Sequence, residues 1–382
     1  MATQWSEQIQ ASRNTASALF HKGHRMRPSY SLLLSASLLV ALTGCKSASK
    51  TEAPATPAGP TMETAKGPRI YVSDEVSGEL TVIDANTMTR LEQLKIGTRP
   101  RGIHASPDGK TIYIALSGTP IGGPGVDEDT LPPSDHSKDG IGVFDVAQNK
   151  LVKIIPGGSD PENFDLSKDG KKIYASNEDQ SAVSIIDIDS GKVEATMKMG
   201  AQPEGVKTSP DGSFVYVTSE ETGTISVVDP EKKKITATFK VGHRPRNVAF
   251  TPDGKTAYIN AENDGSVVVV DVASHKQVKT IELGTPGQVK PMFVLLSPDA
   301  SKLYVSTGRG GKVAVIDTKA NTVAGDVAVG KRPWGIALSP DGKTLYTANG
   351  PSNDVSAVDL ATLTVKAKAP SGGSPWGLVV LP

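Results

Sequence analysis

The side chains best suited to binding or transforming a ligand in this 382-residue chain recur at fixed spacings. Arg101, Glu162, Glu204, Arg246, Trp334 and Trp376 each follow directly on a proline, and Met292 occupies the same place in a seventh copy. Glu75, Glu178, Glu220 and Glu262 each lie four residues after a tyrosine. Arginine and tryptophan are frequent binding anchors. Carboxylates such as Glu162, Glu178, Glu204 and Glu220 can act on a water, either directly or through a bound metal. The structural alternative is that acids and arginines pair with one another and the tryptophans act as packing wedges.

Other chemistries have little to rest on. The histidines include His104, His136, His243 and His275, too scattered for an HExxH pair, and neither CxxCH nor GxSxG occurs. Gly308 to Gly311 reads as a turn, since no helix follows to hold a phosphate. The one cysteine, Cys45, rules out an internal disulfide or a thiolate metal cluster. Charge is balanced at 41 basic against 41 acidic residues. Four of the basic residues and only one acid fall in the first 44 positions, so the body is slightly acidic. Arg99, Arg101, Arg244, Arg246, Lys290 and Arg332 could meet a nucleic acid, but interleaved acids weigh against a phosphate-binding surface.

These residues can act together only if distant parts of the chain are brought to one place, and a repeat does this. Prolines 100, 161, 203, 245, 291, 333 and 375 alternate with tyrosines 71, 113, 174, 216, 258, 304 and 346 and with aspartates 84, 145, 187, 229, 271, 317 and 359. The period is 42 residues, broken by 19 extra residues between Tyr113 and Asp145 and four between Asp271 and Pro291. Ser-Pro-Asp-Gly turns at 106–109, 209–212 and 339–342 punctuate it, since proline presets φ and glycine accepts positive φ. Each period holds four short strands, as in Ile103 to Ser106, Ile112 to Ala115, Val183 to Asp187 and Val193 to Met199. A period near 40 residues with four antiparallel strands predicts a propeller blade. The expected fold is therefore all-β: a seven-bladed β-propeller over 69–382. One blade is shared between the strand beginning at Arg69 and the strand Gly377 to Leu381.

Motifs such as Ile70-Tyr71-Val72-Ser73, Val82-Ile83-Asp84 and Ser106-Pro107-Asp108-Gly109 resemble the YVTN propeller repeat. Asp160-Pro161-Glu162, Ser176-Asn177-Glu178-Asp179, Gln202-Pro203-Glu204-Gly205 and Pro375-Trp376-Gly377 look like propellers associated with pyrroloquinoline-quinone-dependent catabolism. More distantly, the repeat is similar to lactonase-type propellers and to the haem domain of cytochrome cd1-type nitrite reductases. The resemblance implies the fold more strongly than any activity.

Connectivity puts the proline loops and the loops after the tyrosine strands on one face. Arg101, Glu162, Glu178, Glu204, Glu220, Arg246, Glu262, Trp334 and Trp376 then ring the mouth of the central channel. With no catalytic set evident, the expected role is a monomeric, non-enzymatic binding or scaffolding module taking a protein or small-molecule ligand there. One alternative is a lactonase-like hydrolase. With Glu162, Glu178, Glu204 and Glu220 acting on water, three or more carboxylate or amide oxygens converging on one point would support a metal, and carboxylates each engaged by Arg101 or Arg246 would sink that mechanism. The other alternative is an electron-transfer partner of a quinoprotein, or one carrying haem, with His243 as a single axial ligand. The sequence names no cofactor and no catalytic or metal-binding residue.

Two segments lie outside the repeat. Ser31 to Leu42 is an apolar run of 12 residues, short of the roughly 20 that span a bilayer, and Arg25 and Arg27 precede it. It closes on Leu42-Thr43-Gly44-Cys45, which resembles a bacterial lipobox. The expectation is a lipoprotein-type signal peptide over 1–44 and a disordered tether over 45–68 anchored to the membrane by a lipid on Cys45. Lys46 after the cysteine implies the periplasmic side of the outer membrane. The insertion near Gly118 to Gly140 carries Asp127, Glu128, Asp129, Asp135, His136 and Asp139. It fits no EF-hand spacing, and a mobile lid or partner-contact loop is expected there.

Overall fold

The computed structural model describes residues 67–122 and 130–382. The expected signal peptide, Cys45 and nearly all of the tether lie outside the described residues, as do Asp127, Glu128 and Asp129.

Twenty-eight strands form seven four-stranded antiparallel sheets, one per blade. Among the described residues there is no α-helix, and the 3-10 turns include His136–Lys138, Gly308–Gly310 and Gly350–Ser352. The strands fall where the repeat places them: Thr111–Leu116, Ala182–Asp187 and Val193–Lys198 overlie the predicted segments. The inner strand Ile103–Ala105 begins where predicted, whereas Pro203–Thr208, Pro333–Leu338 and Pro375–Leu381 begin at the proline itself. An innermost strand has a free edge, so the missing proline N–H costs no ladder bond.

The repeated turns close for identifiable reasons. Gly109 adopts φ +68°, its N–H donates to Ser106 O at 2.9 Å, and Asp108 Oδ1 accepts the Ser106 hydroxyl at 2.6 Å and the Lys110 N–H at 3.1 Å. The aspartates ending the third strands cap the next turn, as where Asp187 Oδ1 accepts the Ser190 N–H at 2.9 Å. Seven apolar clusters join neighbouring blades. The repeat tyrosines pack into them and reach the next blade, Tyr346 donating its hydroxyl to Ala85 O at 3.3 Å. The ring closes as expected: Arg69–Asp74 pairs antiparallel with Pro375–Leu381, with Val72 opposite Leu378. Numbered from this shared sheet, Arg101 enters blade 2, Glu162 blade 3, Glu204 blade 4, Arg246 blade 5 and Trp334 blade 7, while Trp376 returns to blade 1.

Candidate functional site at the channel mouth

Glu162, Glu204, Arg246 and Trp334 each sit on a local distortion of the inner strand. Pro203 pairs with Ser219 and Val206 with Val217, so Glu204 and Gly205 together oppose one residue. The same bulge recurs after Pro161, Pro245 and Pro333. A bulge re-aims side chains and is common beside functional sites. The residue before each of these prolines is left-handed: Asp160, Gln202, Arg244 and Arg332 have φ between 48° and 59°. Such a conformation costs a non-glycine residue about 1–2 kcal/mol, which the surrounding contacts must offset.

Buried hydroxyls from the preceding blade fix the backbone at three of the residues that follow the prolines. Ser73 Oγ donates to Arg101 O at 2.6 Å, Ser176 Oγ to Glu204 O at 2.7 Å and Ser306 Oγ to Trp334 O at 2.5 Å. These positioning serines all stand two residues after a repeat tyrosine, a periodicity visible in the sequence that the reading above did not use. The glycines after the mouth residues let blades approach: a Cβ on Gly205 would lie 2.0 Å from Arg246 O.

All nine predicted mouth residues join one assembly. Arg246 sends Nη2 to Glu204 at 2.8 Å and Nη1 to Glu220 at 2.6 Å and Glu262 at 2.9 Å. Arg101, fully buried, binds Asp160 and approaches Glu162 at 3.4 Å and Glu178 at 3.6 Å. Glu162 links the two halves, 3.8 Å from Arg246. Arg244 and Lys290 contact Glu262, each at 3.0 Å. Trp334 and Trp376 stack with centroids 5.6 Å apart, and the guanidinium carbons of Arg246 and Arg332 lie 5.0 and 4.8 Å from the Trp334 ring centroid. Asp160, unassigned by the sequence reading, is a central member.

Proton affinities in this assembly diverge. The Glu162 carboxylate, and then burial, push Glu178 up to about 9, so it is a neutral acid at pH 7. Burial raises Glu204 well above the usual range despite Arg246, and Glu162 and Glu220 add to the effect. Glu262 goes the other way: burial alone would raise it, but Arg246, Arg244 and Lys290 hold it at about 2. Such divergence within a cleft is typical of functional sites.

Among the described residues, no group of three or more His, Cys, Asp or Glu side chains is placed to hold a metal ion. Glu162, Glu204, Glu220 and Glu262 are instead occupied by Arg246, and Glu162 and Glu178 by Arg101. Engagement by arginine takes these carboxylates away from a metal, but it leaves a direct residue-based chemistry open. The space between Asn163, Glu204, Arg246, Trp334 and Trp376 is only about 10 Å³, room for roughly one water. His243 is mostly exposed and bonds through Nδ1 to Asp264 at 2.7 Å.

Arg332 differs from the other mouth arginines. Among the described residues its guanidinium has no salt-bridge or hydrogen-bond partner, and it rests on Trp334 half-buried. Burial, then the nearby Arg246, lowers its proton affinity from an arginine's ordinary value.

The end of the insertion is part of the same face. His136 Nδ1 bonds to Asp139 Oδ2 at 2.8 Å, and that same oxygen accepts the Asp160 N–H at 2.9 Å. Asp139 Oδ1 accepts the Gly118 N–H at 2.7 Å.

A family model described as a seven-bladed β-propeller lactonase matches residues 60–207 and 206–368. Among curated proteins, the chain is 31% identical over 138 residues to Antigen Lp49 of Leptospira interrogans, a match covering 28% of this chain and 30% of that one. The chain thus spans less than a third of that curated relative. Among solved structures, it is similar to the periplasmic gluconolactonase PpgL of Pseudomonas aeruginosa (TM-score 0.67, 19% identity, 82% of this chain and 99% of that one). A candidate 6-phosphogluconolactonase of Bacteroides fragilis matches with TM-score 0.66 and 21% identity over 85% of this chain and 100% of that one. Hydrazine synthase of Kuenenia stuttgartiensis matches with TM-score 0.65 and 20% identity over 76% and 92%. At these identities the structural likeness concerns the fold.

The family match corrects the expectation of a non-enzymatic binding or scaffolding module. That expectation rested on the lack of a contiguous catalytic motif. A site assembled from side chains one blade apart need not leave one.

Proposed function

The chain belongs to the seven-bladed β-propeller lactonase family, and from that premise we propose that it hydrolyses a lactone at the channel mouth. The match across both halves of the propeller carries this reading. The geometry supports it with groups of opposite duty. Arg332, whose guanidinium forms no salt bridge among the described residues, stabilises the oxyanion formed when water adds to the lactone carbonyl. Glu178, held protonated by Glu162 and burial, gives its proton to the ring oxygen as the carbonyl–oxygen bond breaks. Glu162, Glu204, Glu220 and Glu262 fix Arg101 and Arg246 beneath the substrate.

The resemblance to propellers of quinone-dependent catabolism is compatible with this chemistry, because oxidation of a cyclic hemiacetal yields a lactone. The apolar run closing on Leu42-Thr43-Gly44-Cys45 supports placement in the cell envelope through a lipid on Cys45. Fractionation should find the wild type in membranes and Cys45→Ser in the soluble pool; equal partitioning would refute the anchor. For the activity, initial rates on glucono-δ-lactone and a series of γ- and δ-lactones are measured by pH-stat above the spontaneous rate. At least one should be hydrolysed, and Arg332→Ala should lower kcat/KM on it by about 10- to 100-fold. No hydrolysis of any lactone would refute the reading.

A further inference from the structure

The 19-residue insertion brings to the mouth a histidine that the repeat does not encode. The short turn His136–Lys138 has no buried residue of its own, yet the residue after it is deeply fixed. The Asp139 side chain is 2% exposed and spends both oxygens on neighbours: Oδ1 accepts from Gly118 N, while Oδ2 accepts from Asp160 N and bonds His136 Nδ1. Asp160 is the partner of the buried Arg101, so the insertion is docked onto the arginine–carboxylate network itself.

The imidazole of His136 is half-exposed, at 52%. Its Nδ1 side is enclosed by Asp139 and by Ser159 Oγ at 3.2 Å. A carboxylate on Nδ1 sets the tautomer with the proton there and leaves Nε2 as the basic nitrogen. Nε2 lies 3.8 Å from Asp179 Oδ2, and Asp179 is the chain neighbour of Glu178. A buried carboxylate fixed on Nδ1 and a half-exposed imidazole left basic at Nε2 make a base and its orienting group.

We infer that His136, oriented by Asp139, is the general base that activates water for lactone opening, an assignment that rests on the lactonase reading above. His136 Nε2 removes one proton from water as its oxygen bonds to the lactone carbonyl carbon. The tetrahedral adduct collapses, the carbonyl–ring oxygen bond breaks, and Glu178 protonates the departing alkoxide. The proton on His136 then returns to Glu178 through solvent, and the product is a hydroxy acid. Asp139 is a positioning residue that touches no substrate. The groups facing His136 are Asp139 and Ser159 at Nδ1 and Asp179 at Nε2, with Asp160 behind Asp139. The hydrogen bond to Asp139 raises the proton affinity of the imidazole, which suits a base working near neutrality.

The test uses the full chain and whichever lactone of the panel the wild type hydrolyses. His136→Ala should lower kcat at least about 100-fold with KM within about threefold, and added imidazole should restore part of it. Asp139→Asn should lower kcat at least about 10-fold by freeing the other tautomer. Lys138→Ala, on the same turn but paired with Asp135, should leave kcat unchanged. Unchanged melting of each variant separates catalysis from folding. An active wild type whose His136→Ala variant keeps kcat within about threefold overturns this inference and leaves the lactonase reading standing. A wild type inactive on every lactone removes both.

Discussion

Asp74 shows how a single side chain can set a pH dependence at the ring closure. It lies fully buried at the seam, accepting hydroxyls from Thr81 at 2.5 Å and Ser371 at 2.7 Å. Burial pushes its carboxyl up to about 6, against the hydrogen bonds that favour the anion. A folded-state value above the unfolded one means that its contribution to stability is present at low pH and is lost as pH rises from about 4 through 6. The loss at neutral pH is of order 2–3 kcal/mol. Asn177 and Asn349 occupy the matching place in other blades and donate to Ser184 at 2.7 Å and Ser356 at 2.8 Å, where this blade has Thr81. Asp74→Asn should therefore melt higher than wild type at pH 7.5, with the gain absent by pH 4. A lower melting temperature at both values would contradict the assignment. At this scale the sequence made the identities of the mouth residues legible, because a preceding proline or a tyrosine four residues earlier marks them. It could not reveal that Glu178 and Glu204 are raised and Glu262 lowered, because those shifts come from burial and from charges blades away in the chain.

Strands and turns were the most legible level. Proline, tyrosine and aspartate each have a fixed local duty, so their spacing set the strand order and the shared blade before any contact was known. The fixing of the backbone at the mouth was not legible, since it depends on Ser73, Ser176 and Ser306 reaching across a blade junction. Nor was the end of the insertion, whose shape is set by Asp139 bonding Gly118 and Asp160, 21 residues away on either side. The closing strand Pro375–Leu381 carries the strongest test among the elements. Its removal with Pro382 would strip a hydrogen-bonded partner from Arg69–Asp74 and remove Trp376 from Trp334. Each buried backbone group left unpaired costs about 1–3 kcal/mol, against a domain stability of about 5–15 kcal/mol. The chain lacking 375–382 should aggregate or become protease-sensitive. A truncated protein that melts like the intact one would refute the shared blade.

Taken whole, the propeller is a ring that brings side chains 42 residues apart to one opening, closed underneath by its own ion pairs. This explains both the success and the failure of reading function from the sequence. The period exposed the mouth, while the family to which the chain belongs left no contiguous motif to read. The account stands on Glu178 acting there as a protonated acid. Its most direct test is the pH dependence of lactone hydrolysis by the full chain and by Glu178→Gln, corrected for the spontaneous reaction. The wild-type kcat should rise through neutrality as His136 loses its proton and fall as pH passes about 9, where Glu178 ionises, and Glu178→Gln should lose at least about 100-fold in kcat at pH 7. A Glu178→Gln variant as active as wild type, with the same pH profile, would contradict it.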